Sequence, residues 1–176
     1  MSAIIEAREA RDATWSKQEQ GLRVRLLEEG DTDAVRDIIK QHHSTTVFRD
    51  QAFSDWKLNE HFHAILSHPP RMVCPVAVLE GKPVGVAWAV ADSYMLTDGP
   101  LFVTVHVIAV DLTVSAVRRA KVFLALVAAI RQWAATLNAS HSFIHVTTGS
   151  NVKATDRLMK AAGAEFVGGA YVVKAT

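Results

Sequence analysis

Leu101-Phe102-Val103-Thr104-Val105-His106-Val107-Ile108-Ala109-Val110-Asp111-Leu112-Thr113-Val114-Ser115-Ala116-Val117-Arg118-Arg119-Ala120-Lys121 changes character twice within its length. Up to Val110 it is rich in β-branched side chains, the composition of a strand. Asp111 to Ser115 interrupts that run. From Ala116 to about Leu137 the pattern is helical, with Val122, Leu126, Ala129, Ile130 and Trp133 on one side. A strand therefore feeds a long helix through a short loop. The first turn of such a helix offers unpaired N–H groups and the positive end of the dipole, a ready site for an anion. Arg118, Arg119 and Lys121 stand in the first turns, where cations oppose the dipole unless an anion lies close by.

The same reading extends in both directions. Upstream, Leu22-Arg23-Val24-Arg25-Leu26 alternates with period two and predicts a half-buried strand. Asp31 or Thr32 can cap a helix carrying Val35, Ile38 and Ile39 on one face, and a second helix carries Leu58, Phe62, Ile65 and Leu66 up to Pro69-Pro70. Met72–Leu79 and Val84–Ala91 read as a hairpin closed by Glu80-Gly81-Lys82-Pro83. Downstream come a strand over Ser142–Thr147, a helix over Asn151–Ala162 and one or two short strands over Phe166–Lys174. Residues 1–20, charged and poor in apolar anchors, predict an arm or extra helix outside the domain formed by residues 21–176.

Composition narrows the class. A chain of 176 residues has the size of one domain. Its nineteen basic and eighteen acidic residues leave a net charge of +1, with no basic run to signal nucleic acid. The longest apolar stretch, Val122–Ile130, is about half a membrane span, and the N-terminus lacks an apolar signal core. Cys74, the single cysteine, excludes an internal disulfide and fits a reducing compartment as a small buried hydrophobe. The expectation is a soluble, cytoplasmic protein. His42, His43, His61, His63, His68 and His141 show no metal-site spacing, so no metal is expected.

The order β-α-α-β-β-β-α-β-α-β resembles the GCN5-related N-acetyltransferases over about residues 21–174, and two segments strengthen the likeness. His106–Lys121 looks like the family's strand, loop and acyl-CoA-binding helix start, whose loop reads Gln/Arg-x-x-Gly-x-Gly/Ala. With Ser115 in the first motif position, Arg118 replaces the first glycine and Ala120 meets the Gly/Ala requirement. With Arg118 first, Lys121 and Phe123 replace both glycines; the Ala120 register is preferred because a small residue permits backbone approach. The second segment, Asn151–Phe166, is similar to Asn-x-x-Ala-x-x-Leu-Tyr-x-Lys-x-Gly-Phe through Asn151, Ala154, Leu158 and Gly163. Met159 stands where the family often has a tyrosine that protonates the departing thiolate.

The resemblance implies an α/β (α+β) fold: a mixed, mostly antiparallel sheet of about six strands flanked by about four helices, splayed at the cofactor site. It implies acetyl-CoA as acyl donor and an amine, on a small molecule or protein, as acceptor. Ile108, Ala109 and Val110 would present backbone to the pantetheine arm. Arg118, Arg119, Ala120, Lys121 and Asn151 would complete the cofactor site. The strand glutamate that often serves as base is missing, since no carboxylate occurs between Gly99 and Val110. His106, whose ordinary pKa near 6.5 suits the task, is the candidate base, with His145 on the next strand as a second candidate. Phe48, Phe53 and Trp56 fall where the family builds its acceptor pocket. The departures also admit a GNAT-fold binding or structural protein without catalysis. Some phage-encoded members, which the short chain also resembles, would then place it in a virion or in the host cytoplasm. An exposed terminal strand would permit a homo-oligomer.

Overall fold

The computed structural model describes residues 21–67, 69–96, 98–146 and 152–168. The N-terminal arm, Asn151 and the last expected strand beyond Gly168 lie outside the described residues. The elements are β1 (Leu22–Leu26), α1 (Thr32–His43), α2 (Asp55–Leu66), β2 (Met72–Val73) and β3 (Pro75–Leu79). They continue with β4 (Lys82–Asp92), β5 (Phe102–Val110), α3 (Ala116–Thr136), β6 (Ser142–Ile144) and α4 (Val152–Ala161). The strands form one sheet in the order β1-β3-β4-β5-β6, with β2 beside β4. Every pairing is antiparallel except β5 with β6, which is parallel.

Six strands match the expected number by a different route. The run Met72–Leu79 splits at Cys74 into β2 and β3, because Leu27 takes the Cys74 carbonyl as a hydrogen-bond acceptor at 2.9 Å. The expected strand Ser142–Thr147 ends early, at Ile144, and Phe166–Gly168 have no regular structure.

The sheet is buried on both faces. On one, α3 lays Val122, Leu126, Ala129 and Ile130 against Ala87, Ala89, Val103 and Val105. Each large aliphatic side chain buried this way contributes about 1.5–3 kcal/mol. The helix sits close because β4 offers it only small residues: a Cβ at Gly85 would lie 2.5 Å from Val122 Cγ1 and 3.3 Å from Leu126 Cδ1. On the other face α1 and α2 contribute Val35, Ile38, Leu58, Phe62 and Ile65 against Val76, Val78, Val86 and Ala109. Cys74 belongs to this layer, where burial pushes its thiol up to about 12 and holds it protonated.

The start of α1 departs from expectation. Asp31 precedes the helix in αR geometry and makes no side-chain cap. Its carboxylate instead accepts from Arg25 Nη2 at 2.9 Å and from the Glu28 N–H at 3.0 Å, tying β1 to the helix entry. The end of α4 follows the sequence. Gly163, at φ +77°, lets its N–H reach the Lys160 carbonyl and the Ala164 N–H reach that of Met159, which closes the helix. Among the described residues no helix is long and apolar enough to cross a membrane.

Candidate active site

The chemistry collects where β5 and β6 part. Their pairing covers Val103–Val105 against Ser142–Ile144 and stops there. On its other side β5 stays paired with β4 to Val110, so its second half has one open edge among the described residues. Asp111 donates its N–H to the Val84 carbonyl at 2.9 Å. Strand alternation then turns the N–H and C=O groups of Val110 and Ile108 to the open side. Those of Ala109 turn toward β4, so of the three expected backbone contributors Ala109 is not one that faces the gap.

A bulge marks the same place. Trp88 pairs with Val107 and Ala89 with Val105, which leaves His106 as the extra residue in β5. Val103 and Val105 before it pack toward α3, whereas Val107 and Ala109 after it pack toward α1 and α2. His106 is thus unpaired, exposed, and the first residue of β5 without a β6 partner. His145 directly follows the last paired residue of β6 and lies beside it across the gap.

Trp88 holds the centre of the imidazole group. Its indole ring is 5.3 Å from the His106 ring and 4.4 Å from that of His61 on α2, both tilted. Although His106 is exposed, its partial burial, and after that the imidazoles of His145 and His61, hold it below its ordinary value, which favours the neutral form. The Trp88 indole N–H is buried without an acceptor among the described residues. A buried tryptophan normally finds a partner, so this one stands ready for an oxygen. His61 carries a local signal in the sequence: Leu58, His61, Phe62 and Ile65 follow the i, i+3, i+4, i+7 spacing of a docked face. Among the described residues no three His, Cys, Asp or Glu side chains are placed to hold a metal ion.

The loop into α3 is pinned without glycines. Asp111 Oδ1 accepts from the Thr113 N–H at 2.8 Å, and Gln41 Oε1 on α1 accepts from the Leu112 N–H at 3.1 Å. Arg119 donates to the Leu112 carbonyl at 2.9 Å and to that of Val114 at 3.2 Å. Through Nη1 this guanidinium braces the loop. Ser115 is the N-cap residue and makes no side-chain cap, while the first helical bond runs from the Arg119 N–H to the Ser115 carbonyl at 2.8 Å. The N–H groups of Ala116, Val117 and Arg118 precede that bond and stand at the helix mouth. Arg118 and Lys121 are exposed beside them, and Ala120 is half-buried.

Phe48 and Trp56 are exposed, so they are not core residues, whereas Phe53 packs into the layer under α1 and α2. A cleft of about 460 Å3 lies elsewhere, between the second half of α3, β6 and the segment after α4. None of the candidate residues lines it.

An open, mostly antiparallel sheet with its last strand parallel, two helices on one face, and a splay beside a helix N-terminus defines one architecture. The chain has the GCN5-related N-acetyltransferase fold. It superposes on glucosamine-6-phosphate N-acetyltransferase from Arabidopsis thaliana with TM-score 0.68 at 13% identity, covering 88% of this chain and 99% of that one. It matches a transcriptional regulator from Bacillus halodurans with TM-score 0.69 at 15% identity, over 87% and 99% of the two chains. It also matches aminoglycoside N-acetyltransferase AAC(6')-Iy in complex with a CoA-containing bisubstrate analogue, with TM-score 0.67 at 16% identity over 88% and 98%. No protein-family model and no curated protein matches the sequence. At these identities the likeness is one of fold.

Proposed function

We propose that the protein is an acetyl-CoA-dependent N-acetyltransferase acting on an amine acceptor. The observation that carries this reading is the succession, along β5 and into α3, of a bulged histidine, an open strand edge and an uncapped helix N-terminus. The backbone of Ile108 and Val110 pairs with the pantetheine arm, and the Val110 N–H polarises the thioester carbonyl. The N–H groups of Ala116–Arg118, with Arg118 and Lys121, hold the pyrophosphate. Ala120 keeps that approach open.

An ammonium acceptor first loses a proton to His106, directly or through water, and His106 passes it to solvent. The neutral nitrogen attacks the thioester carbon; the C–N bond forms and the C–S bond breaks, its electron pair leaving on sulfur. The nitrogen's second proton goes to His106, with His145 as the neighbouring imidazole. The thiolate takes a proton from solvent or from an imidazolium, and the net reaction releases one proton. With a thiol pKa near 8.5, sulfur leaves without a dedicated acid, which accommodates Met159 in place of tyrosine.

Acetyl-CoA at a hundredfold excess over its Kd should stabilise the chain by about 2.7 kcal/mol, a rise of roughly 5–10 °C in Tm for this size. Arg118→Glu should remove most of that rise. A GNAT-fold structural protein, in a phage particle or free, predicts no shift at millimolar cofactor, and that result would displace the enzyme reading.

A further inference from the structure

We propose that Gln41, in the last turn of α1, is a positioning residue for the cofactor: it fixes the loop between β5 and α3 through an uncharged acceptor and so sets the affinity for acetyl-CoA. The inference rests on the acetyl-transfer reading and adds to its cofactor site a residue from outside the β5–α3 segment.

The loop Asp111–Ser115 contains no glycine and satisfies most of its backbone from within. The Thr113 N–H donates to Asp111 Oδ1 at 2.8 Å, and the Val114 N–H donates to the Asp111 carbonyl at 3.3 Å. Arg119 Nη1 donates to the carbonyls of Leu112 and Val114. These bonds fold the loop on itself, and the Asp111 N–H ties its start to Val84 of β4. None of them reaches the layer of α1 and α2. Among the described residues the hydrogen bond that does so runs from the Leu112 N–H to Gln41 Oε1 at 3.1 Å, between positions 71 residues apart. It sets where the loop, and the helix mouth that follows, stands against α1.

The chemistry of the acceptor matters as much as its place. A carboxylate at position 41 would accept the same N–H in a stronger, charge-assisted bond. It would also bring a full negative charge to a loop that leads into the N–H groups proposed to hold the pyrophosphate. Leu112 and Ala116 are four residues apart, at most about 14 Å along an extended chain. The turn from Val114 to Asp111 shortens that separation. A charge at this range acts at 10 mM salt, where screening sets in over about 30 Å, and is lost at 1 M, where it sets in over about 3 Å. Asp111 already places one carboxylate in the loop, with the Arg119 guanidinium across the same turn. Glutamine holds the loop and adds no second charge.

Titration calorimetry of the full chain with acetyl-CoA, at 10 mM and 1 M salt, separates the two parts of the claim. Gln41→Met removes the acceptor and should weaken binding about threefold against the parent at both salt concentrations. Gln41→Glu keeps the acceptor and should weaken binding about fivefold at 10 mM salt, and by less than about twofold at 1 M. Asp37 lies one turn back on α1, so the added carboxylate also lowers Tm slightly; the readout is therefore the ratio of Kd values at each salt concentration. A glutamine that only stabilises the fold predicts no salt-dependent loss. Parent affinity in both variants overturns the role of Gln41 and leaves acetyl-CoA binding standing. A loss in Gln41→Glu that is equal at both salt concentrations overturns it as well. No binding by the parent at millimolar acetyl-CoA overturns this inference together with the acetyl-transfer reading.

Discussion

His106→Ala should lower kcat/KM for acetyl transfer by about 100-fold or more, within the range that a positioned base supplies. The side chain is exposed and unpaired in the sheet, so the unfolding free energy should stay within about 0.5 kcal/mol of the parent. The pH profile carries the same claim. A base acts when deprotonated, and the exposed His106 is held below its ordinary value by its partial burial and by His145 and His61. The acid limb of kcat/KM should therefore fall below pH 6.5, and His61→Gln should move it upward. Rates unchanged by His106→Ala across pH 6–9 would remove this residue from the mechanism.

The second large effect is on stability. Asp31→Ala should cost about 2 kcal/mol, because it takes the two-point carboxylate partner from the Arg25 guanidinium, which keeps only Glu28 at 3.6 Å and the Leu26 carbonyl, and leaves the Glu28 N–H without its acceptor. Burial pushes the Asp31 carboxyl up, but the Arg25 and Glu28 hydrogen bonds outweigh it and hold the group below 3.8 in the folded chain. A carboxyl with a lowered folded value stabilises above its unfolded value, and the contribution is lost as pH falls through the folded one. Urea unfolding at pH 7 and below pH 3 checks both parts. The difference between parent and variant should shrink at the lower pH, and a constant difference would assign the effect to packing.

Much of this architecture is legible in the chain. The β5–α3 junction announces itself through β-branched residues followed by helical spacing, and Gly163 ends α4 as its position predicts. The break at Cys74 and the bulge at His106 are not legible, since both depend on which residue of a neighbouring strand stands opposite. The imidazole group shows the same limit. His61 carries a local signal in its place among Leu58, Phe62 and Ile65, but its meeting with Trp88 requires α2 to dock on β4. Arg119 shows the limit at the level of contacts: three basic residues at a helix start look alike in sequence, and it is the fold that brings one of them onto the carbonyls of Leu112 and Val114.

The central claim places acetyl-CoA at the open edge of β5 and the mouth of α3. Amide hydrogen exchange with and without acetyl-CoA, resolved by residue, tests it most directly. Slowed exchange at Ile108, Val110 and Ala116–Arg118 is the predicted result. Bound cofactor with unchanged exchange at all five amides would contradict the account.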